Sequence, residues 1–124
     1  MKNVLIVEDS KAIRSLIRIA LEEAGDIVTA EASNGFEALK MLPTRKFDLI
    51  ITDINMPDIN GLELIGFVKA NPSYQAIPLI IVSTEKSDED KKRGIALGAM
   101  GYIVKPFRKE DLLVVVNKAL GGNK

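Results

Sequence analysis

Acidic, hydroxyl and amine side chains follow four of the five short apolar runs in this sequence. Glu8 and Asp9 come directly after Val4-Leu5-Ile6-Val7, and Thr52 and Asp53 after Leu49-Ile50-Ile51. Ser83 and Thr84 follow Leu79-Ile80-Ile81-Val82, and Lys105-Pro106 follows Tyr102-Ile103-Val104. If the runs are parallel strands, these residues share the edge where every strand ends, and ligands of such sheets bind there. Three carboxylates converging on one edge repel unless cations neutralise them. Lys105 supplies one positive charge. A divalent cation bound by oxygens supplies two, and Mg²⁺ suits a site with few carboxylates and several waters. A carboxylate in that setting can attack phosphorus and form an aspartyl phosphate. The transferring group then needs its equatorial oxygens met by cations and hydrogen-bond donors. Asp53 lies between the Glu8-Asp9 pair and Ser83, so it is the best-placed nucleophile. The acidic pair would hold the metal, with Lys105 and the Ser83 hydroxyl on phosphoryl oxygens. Singly, each residue also has an ordinary reading: Asp9 or Ser10 as a helix cap, Asp53 as a turn residue, Ser83 and Lys105 as loop and surface groups.

Composition narrows the chemistry further. The chain of 124 residues is one domain, residues 1–124, with 47% hydrophobic and 27% charged residues. Cys and His are both absent. That excludes disulfides, thiol and Ser-His nucleophiles, and zinc or iron sites built on those ligands. Lys plus Arg and Asp plus Glu both number 17, so no bulk field draws the chain to nucleic acid or acidic lipid. Lys91-Lys92-Arg93 reads as a solvated helix face, and no direct nucleic-acid contact is expected. No apolar run approaches the roughly 18–20 residues that cross a bilayer. Glu8 and Asp9 also interrupt the first run too early for a signal peptide, so a cytoplasmic protein without membrane insertion is expected.

The elements that must position these residues alternate along the chain. Four runs are continuous and rich in β-branched residues, as in strands covered on both faces. The second, Ile27 to Ala32, puts Val28, Ala30 and Ala32 on one face and Thr29 and Glu31 on the other, as an edge strand does. Ile13, Leu16, Ile17, Ala20, Leu21 and Ala24 form a helical stripe, with Lys11, Arg14, Arg18 and Glu22 facing water and Gly25 as a left-handed stop. Asn34 and Glu37 suggest a capping box for a helix closed by Pro43. Further helices are expected from Gly61 to Ala70, from a Ser87 cap to near Gly98, and over Leu112, Val115, Val116, Ala119 and Leu120. The fourth is almost wholly polar from Ser87 to Arg93. The fold class is α/β, a doubly wound parallel sheet with helices on both faces.

Five motifs then resemble one family, the receiver domain of bacterial response regulators, and in particular free-standing chemotaxis-type (CheY-like) regulators. They are Val4 to Ser10, Asp48 to Pro57, Gly61-Leu62-Glu63-Leu64, Pro78 to Ser83, and Gly98 to Phe107. The resemblance implies a five-stranded flavodoxin-like sheet of order 2-1-3-4-5. It implies that Asp53 accepts a phosphoryl group from the histidine of a sensor histidine kinase, with Mg²⁺ or Mn²⁺ as cofactor. Asp9 and Asp53 would bind the metal by side chains, Asn55 by its backbone carbonyl and Glu8 through water. Ser83 and Lys105 would grip the phosphoryl group, while Thr84, Asn55 and Glu85 border its access. Ser83 and Tyr102 would act as the switch, read by a downstream target at the face of the fourth helix, fifth strand and fifth helix. Such a protein catalyses only its own phosphorylation and dephosphorylation, and is not otherwise an enzyme. The family also implies a cis bond before Pro106. Thr84 stands where relatives have Ala or Gly, so its β-branched side chain is expected to crowd the phosphoryl entrance.

Other classes remain open on sequence alone. An aspartyl-nucleophile phosphatase resembles this pattern but needs a second Asp where Asn55 stands, and an amide cannot shuttle a proton. An interaction module could keep the fold without its chemistry, although the acidic pair, acceptor, hydroxyl and Lys are all present. A flavin mononucleotide carrier shares the architecture, yet Glu8-Asp9 lie where its phosphate wants uncharged donors.

Overall fold

The computed structural model describes residues 1–56, 58–84 and 88–121. Among these, strands and helices alternate as β1 (Lys2–Val7), α1 (Lys11–Ala24), β2 (Ile27–Ala32), α2 (Gly35–Met41), β3 (Leu49–Thr52), α3 (Gly61–Ala70), β4 (Leu79–Ser83), α4 (Asp88–Ala96), β5 (Gly101–Val104) and α5 (Lys109–Ala119). Neighbouring strands pair in parallel in the order β2-β1-β3-β4-β5, the expected doubly wound sheet.

Alternate residues of β1, β3 and β4 face opposite layers, which is why these runs are apolar throughout. In contrast, β5, expected to be covered on both faces, is the second edge strand, and its Val104 is exposed. Val4, Ile6, Leu49, Ile51, Ile80 and Val82 join Ile17 and Leu21 of α1 and Leu112 and Val116 of α5 in one core. Leu5, Val7, Ile50, Leu79 and Ile81 join Ala38 of α2 and Leu64, Ile65 and Val68 of α3 in the other. With both faces packed, the sheet is a rigid platform whose carboxyl edge is fixed in space.

Several local expectations need correction. Val28 is exposed although Ala30 and Ala32 on its face are buried, because the edge strand has a strand neighbour on one side only. Leu16 and Ala24 are exposed too, Leu16 at the border of the α1 stripe and Ala24 on its last turn. Gly25 ends α1 at φ 86° and ψ 155°, an extended mirror conformation open to glycine rather than a left-handed helical one. Asn34 accepts from the Glu37 amide at 2.9 Å, but the Glu37 carboxylate accepts from Ser33 N at 2.7 Å, one residue before the expected partner. Pro43 closes α2 through a single 3₁₀ turn, Leu42–Thr44. The α4 helix lies close against β4 because buried Gly94 has no Cβ; one there would strike Ile81 Cδ1. The expected Ser87 cap lies outside the described residues.

Candidate functional site

Strand register assembles the site. Val7 pairs with Thr52 across β1 and β3, so Glu8 and Asp53 leave the sheet side by side, and Asp53 N donates to Val7 O at 3.0 Å. Ser83 pairs with Val104 across β4 and β5, so Lys105 follows next to it and donates its backbone N–H to Ser83 O at 2.8 Å. Ser10 caps α1 by accepting from Ile13 N at 3.3 Å, which starts the helix two residues after Asp9.

The three carboxylates do converge. Glu8, Asp9 and Asp53 each offer an oxygen within 4.8 Å of the others. Glu8 and Asp53 are 2% and 6% exposed, whereas Asp9 is open to solvent. Lys105 Nζ bridges the buried pair, donating to Glu8 Oε1 at 2.6 Å and to Asp53 Oδ2 at 3.2 Å. The remaining oxygens are also met: Ser10 N donates to Glu8 Oε2 at 3.0 Å, and Ile54 N to Asp53 Oδ1 at 2.7 Å. Burial pushes the Glu8 carboxyl above its ordinary value, against the opposing hydrogen bond from Lys105. Burial also pulls the Lys105 ammonium down, but the hydrogen bond to Glu8 and the charges of Asp53 and Glu8 overcome it and hold it above its usual range.

Three carboxylates against one ammonium leave two negative charges uncompensated. The donors are all oxygen, and a chain without His or Cys offers no softer ligand. That donor set fits a hard divalent cation.

Ser83 is wholly buried at the end of β4, and Thr84 beside it is exposed. Asn55 is exposed, two residues beyond Asp53. Tyr102 is half-buried on β5, packed against the core beneath α2 and α3. The Lys105–Pro106 bond is cis, as expected. Glu85 lies outside the described residues, as does Pro57 of the second motif.

Two contributors escaped the sequence reading. Gly61, at the start of α3, donates its N–H to Ile54 O at 2.9 Å and sits so tightly that a Cβ would strike the Asp53 carbonyl oxygen. Its signal was Asn60 with Glu63, which close a full capping box around it. Arg14, expected to face water, has a side chain only 15% exposed and donates Nη1 to the Glu8 carbonyl at 2.7 Å. Its signal was Glu31, an acid on the edge strand's polar face within reach of the α1 arginines.

Residues 4–117 match the response regulator receiver domain. The chain is 35% identical over 115 residues to the chemotaxis protein CheY of Pseudomonas aeruginosa, covering 93% of each chain. It is similar to the crystal structure of Vibrio cholerae chemotaxis protein CheY4 at a TM-score of 0.90 and 39% identity, over 97% of this chain and 99% of that one. It also resembles the Mn(2+)-bound form of response regulator Rcp1, at a TM-score of 0.82 and 26% identity over 98% and 91% of the two chains. A doubly wound sheet, an acid triad bridged by a lysine, and these likenesses together show that the chain belongs to the receiver domains of CheY-like response regulators.

Proposed function

We propose that the protein is a phosphorylation-controlled switch of a two-component pathway, in chemotaxis or a related process, and that Asp53 is its phosphoacceptor. The observation that carries this reading is the Lys105 ammonium shared between Glu8 and Asp53 inside an acid triad open to solvent only at Asp9. An Asp53 carboxylate oxygen forms a bond to phosphorus while the P–N bond to the histidine of a sensor kinase breaks, and the imidazole leaves with that electron pair. Lys105 already touches Asp53, so it is at hand for an oxygen of the arriving group. The buried Ser83 hydroxyl ends the neighbouring strand and takes another.

The cofactor in this reading is Mg²⁺ or Mn²⁺, the latter being the ion in the related Rcp1 structure. Asp9 and Asp53 would be its side-chain ligands, with the Asn55 backbone carbonyl. Glu8 would reach the cation through water. When bound, the cation neutralises charge on the transferring group. Thr84 and Asn55 border access, and the methyl-bearing Thr84 slows donor entry or hydrolysis.

Phosphorylation adds about two negative charges at this edge. Ser83 and Tyr102 transmit them as a population shift. The downstream partner reads the α4-β5-α5 face, where Ile95, Leu97, Met100, Val104 and Val114 are exposed. The protein acts on its own phosphoryl group and on no other substrate. Among the described residues no helix is long and apolar enough to cross a membrane; a cytoplasmic setting fits that.

Acetyl phosphate with Mg²⁺ tests the reading by intact mass. Wild type gains one phosphoryl group and Asp53→Asn gains none; full labelling of the variant refutes the assignment.

A further inference from the structure

We infer that Arg14 is a positioning residue for the cation-binding turn, which rests on the reading of Glu8, Asp9 and Asp53 as the metal site. Its guanidinium spans two partners with two different nitrogens. Nη1 donates to the Glu8 backbone carbonyl at 2.7 Å, and Nε to Glu31 Oε1 at 2.8 Å. With 15% of the Arg14 side chain exposed, its part-buried bond to the Glu8 carbonyl faces less competition from water than the exposed pair with Glu31. Glu31 is itself anchored. It pairs with Ile6 in the β1–β2 register, and its Oε2 lies 3.2 Å from Arg18 Nε. The brace therefore runs from the sheet edge, through Arg14, to the turn after β1.

The turn depends on such a brace because Asp9 is exposed, so packing constrains it less than buried Glu8 and Asp53. Its direction has to come from the backbone on either side. The Glu8 amide is held by Ala32 O at 3.0 Å, and the Ser10 amide by Glu8 Oε2 at 3.0 Å. Between them, the Glu8 carbonyl begins the peptide unit that carries Asp9, and Arg14 holds it. Fixing that peptide plane aims the Asp9 carboxylate at Glu8 and Asp53. Groups that orient metal ligands in this way are worth about 10–100-fold in metal affinity.

Charge acts in the opposite direction, which makes the role testable. A guanidinium near the site repels a cation, so on electrostatics alone its removal tightens metal binding. Loss of positioning weakens it. Titration of the full chain with Mn²⁺ alone, followed by water-proton relaxation, reads the sign for wild type, Arg14→Met and Arg14→Lys. Met keeps the stem without charge or donors. Lys keeps the charge but has one nitrogen for two partners, so a change there reports geometry. We expect Kd to rise about tenfold in Arg14→Met and to rise in the same direction in Arg14→Lys. Amide hydrogen exchange in the metal-free proteins should speed up at Ser10 in both variants while Ile81 in β4 keeps its wild-type rate. Unchanged or tighter binding in Arg14→Met overturns the inference, as does wild-type affinity in Arg14→Lys. Faster exchange spread evenly over the sheet, with unchanged Kd, also overturns it by reducing Arg14 to a structural role. If Arg14→Met fails to fold, Arg14→Lys decides. A wild-type chain that takes up no Mn²⁺ refutes the metal site itself, a separate result from a bound wild type with indifferent variants.

Discussion

Replacing Lys105 by Met removes the ammonium between two nearly buried carboxylates and keeps a stem of similar shape. Nζ sits 2.6 Å from Glu8 and 3.2 Å from Asp53, whose residues are only 2% and 6% exposed. Stranding a buried charge by deleting its partner costs about 3–5 kcal/mol. The variant has an alternative, because Glu8, which burial already pushes up, can take a proton. Keeping a carboxyl of unfolded pKa about 4.3 neutral at pH 7 costs about 1.36 kcal/mol for each of about 2.7 units, or about 3.7 kcal/mol. The expected loss at pH 7 in chelator is therefore about 3–4 kcal/mol. The sign with pH follows from Lys105's own effect. Its hydrogen bond and charge lower the Glu8 value, so without it the folded value rises further above the unfolded one. Between those values the folded variant binds more protons than the unfolded chain, and stability falls as pH rises by up to about 1.4 kcal/mol per unit. The deficit against wild type should shrink on acidification from about pH 7 to 5, and Mg²⁺ should also narrow it. Urea unfolding followed by far-ultraviolet circular dichroism, with chelator or Mg²⁺, measures both. A deficit flat with pH and indifferent to Mg²⁺ refutes the reasoning.

Two further perturbations bear on the same edge. Gly61→Ala forces a methyl against the Asp53 carbonyl, a backbone atom with no room to yield; a loss of about 1–3 kcal/mol or more and slower labelling are expected, and a wild-type urea midpoint contradicts the packing. Thr84→Ala opens the phosphoryl entrance, so labelling by acetyl phosphate or decay of the adduct should quicken, and unchanged rates would show that the methyl crowds nothing.

The sheet was legible because its strands are short apolar runs, and β1, β3 and β4 are indeed covered on both faces. The equally continuous run of β5 proved to be an edge strand with Val104 exposed. The site was legible because Glu8, Ser83 and Lys105 come first, and Asp9 and Asp53 second, after such a run, so topology alone brings them together. What stayed hidden depends on pairings between elements distant in sequence. Arg14 occupies a helical position whose neighbours on the wheel, Arg18 and Glu22, read as solvated, and only the β1–β2 register brings Glu31 within its reach. Gly61 looked like an ordinary helix start; its necessity comes from the close pass of α3 over the Asp53 backbone. Leu16 and Val28 carry core-type side chains at the margins of their faces, and the pattern of residues does not mark where a covering layer ends.

Peptide mapping of the chain after acetyl phosphate treatment, run with Mg²⁺ and with chelator, decides whether Asp53 is a metal-dependent phosphoacceptor. One hydroxylamine-labile phosphoryl group is expected, located at Asp53, that disappears when the metal is removed. A label on any other residue, or one that forms equally well in chelator, would contradict that assignment.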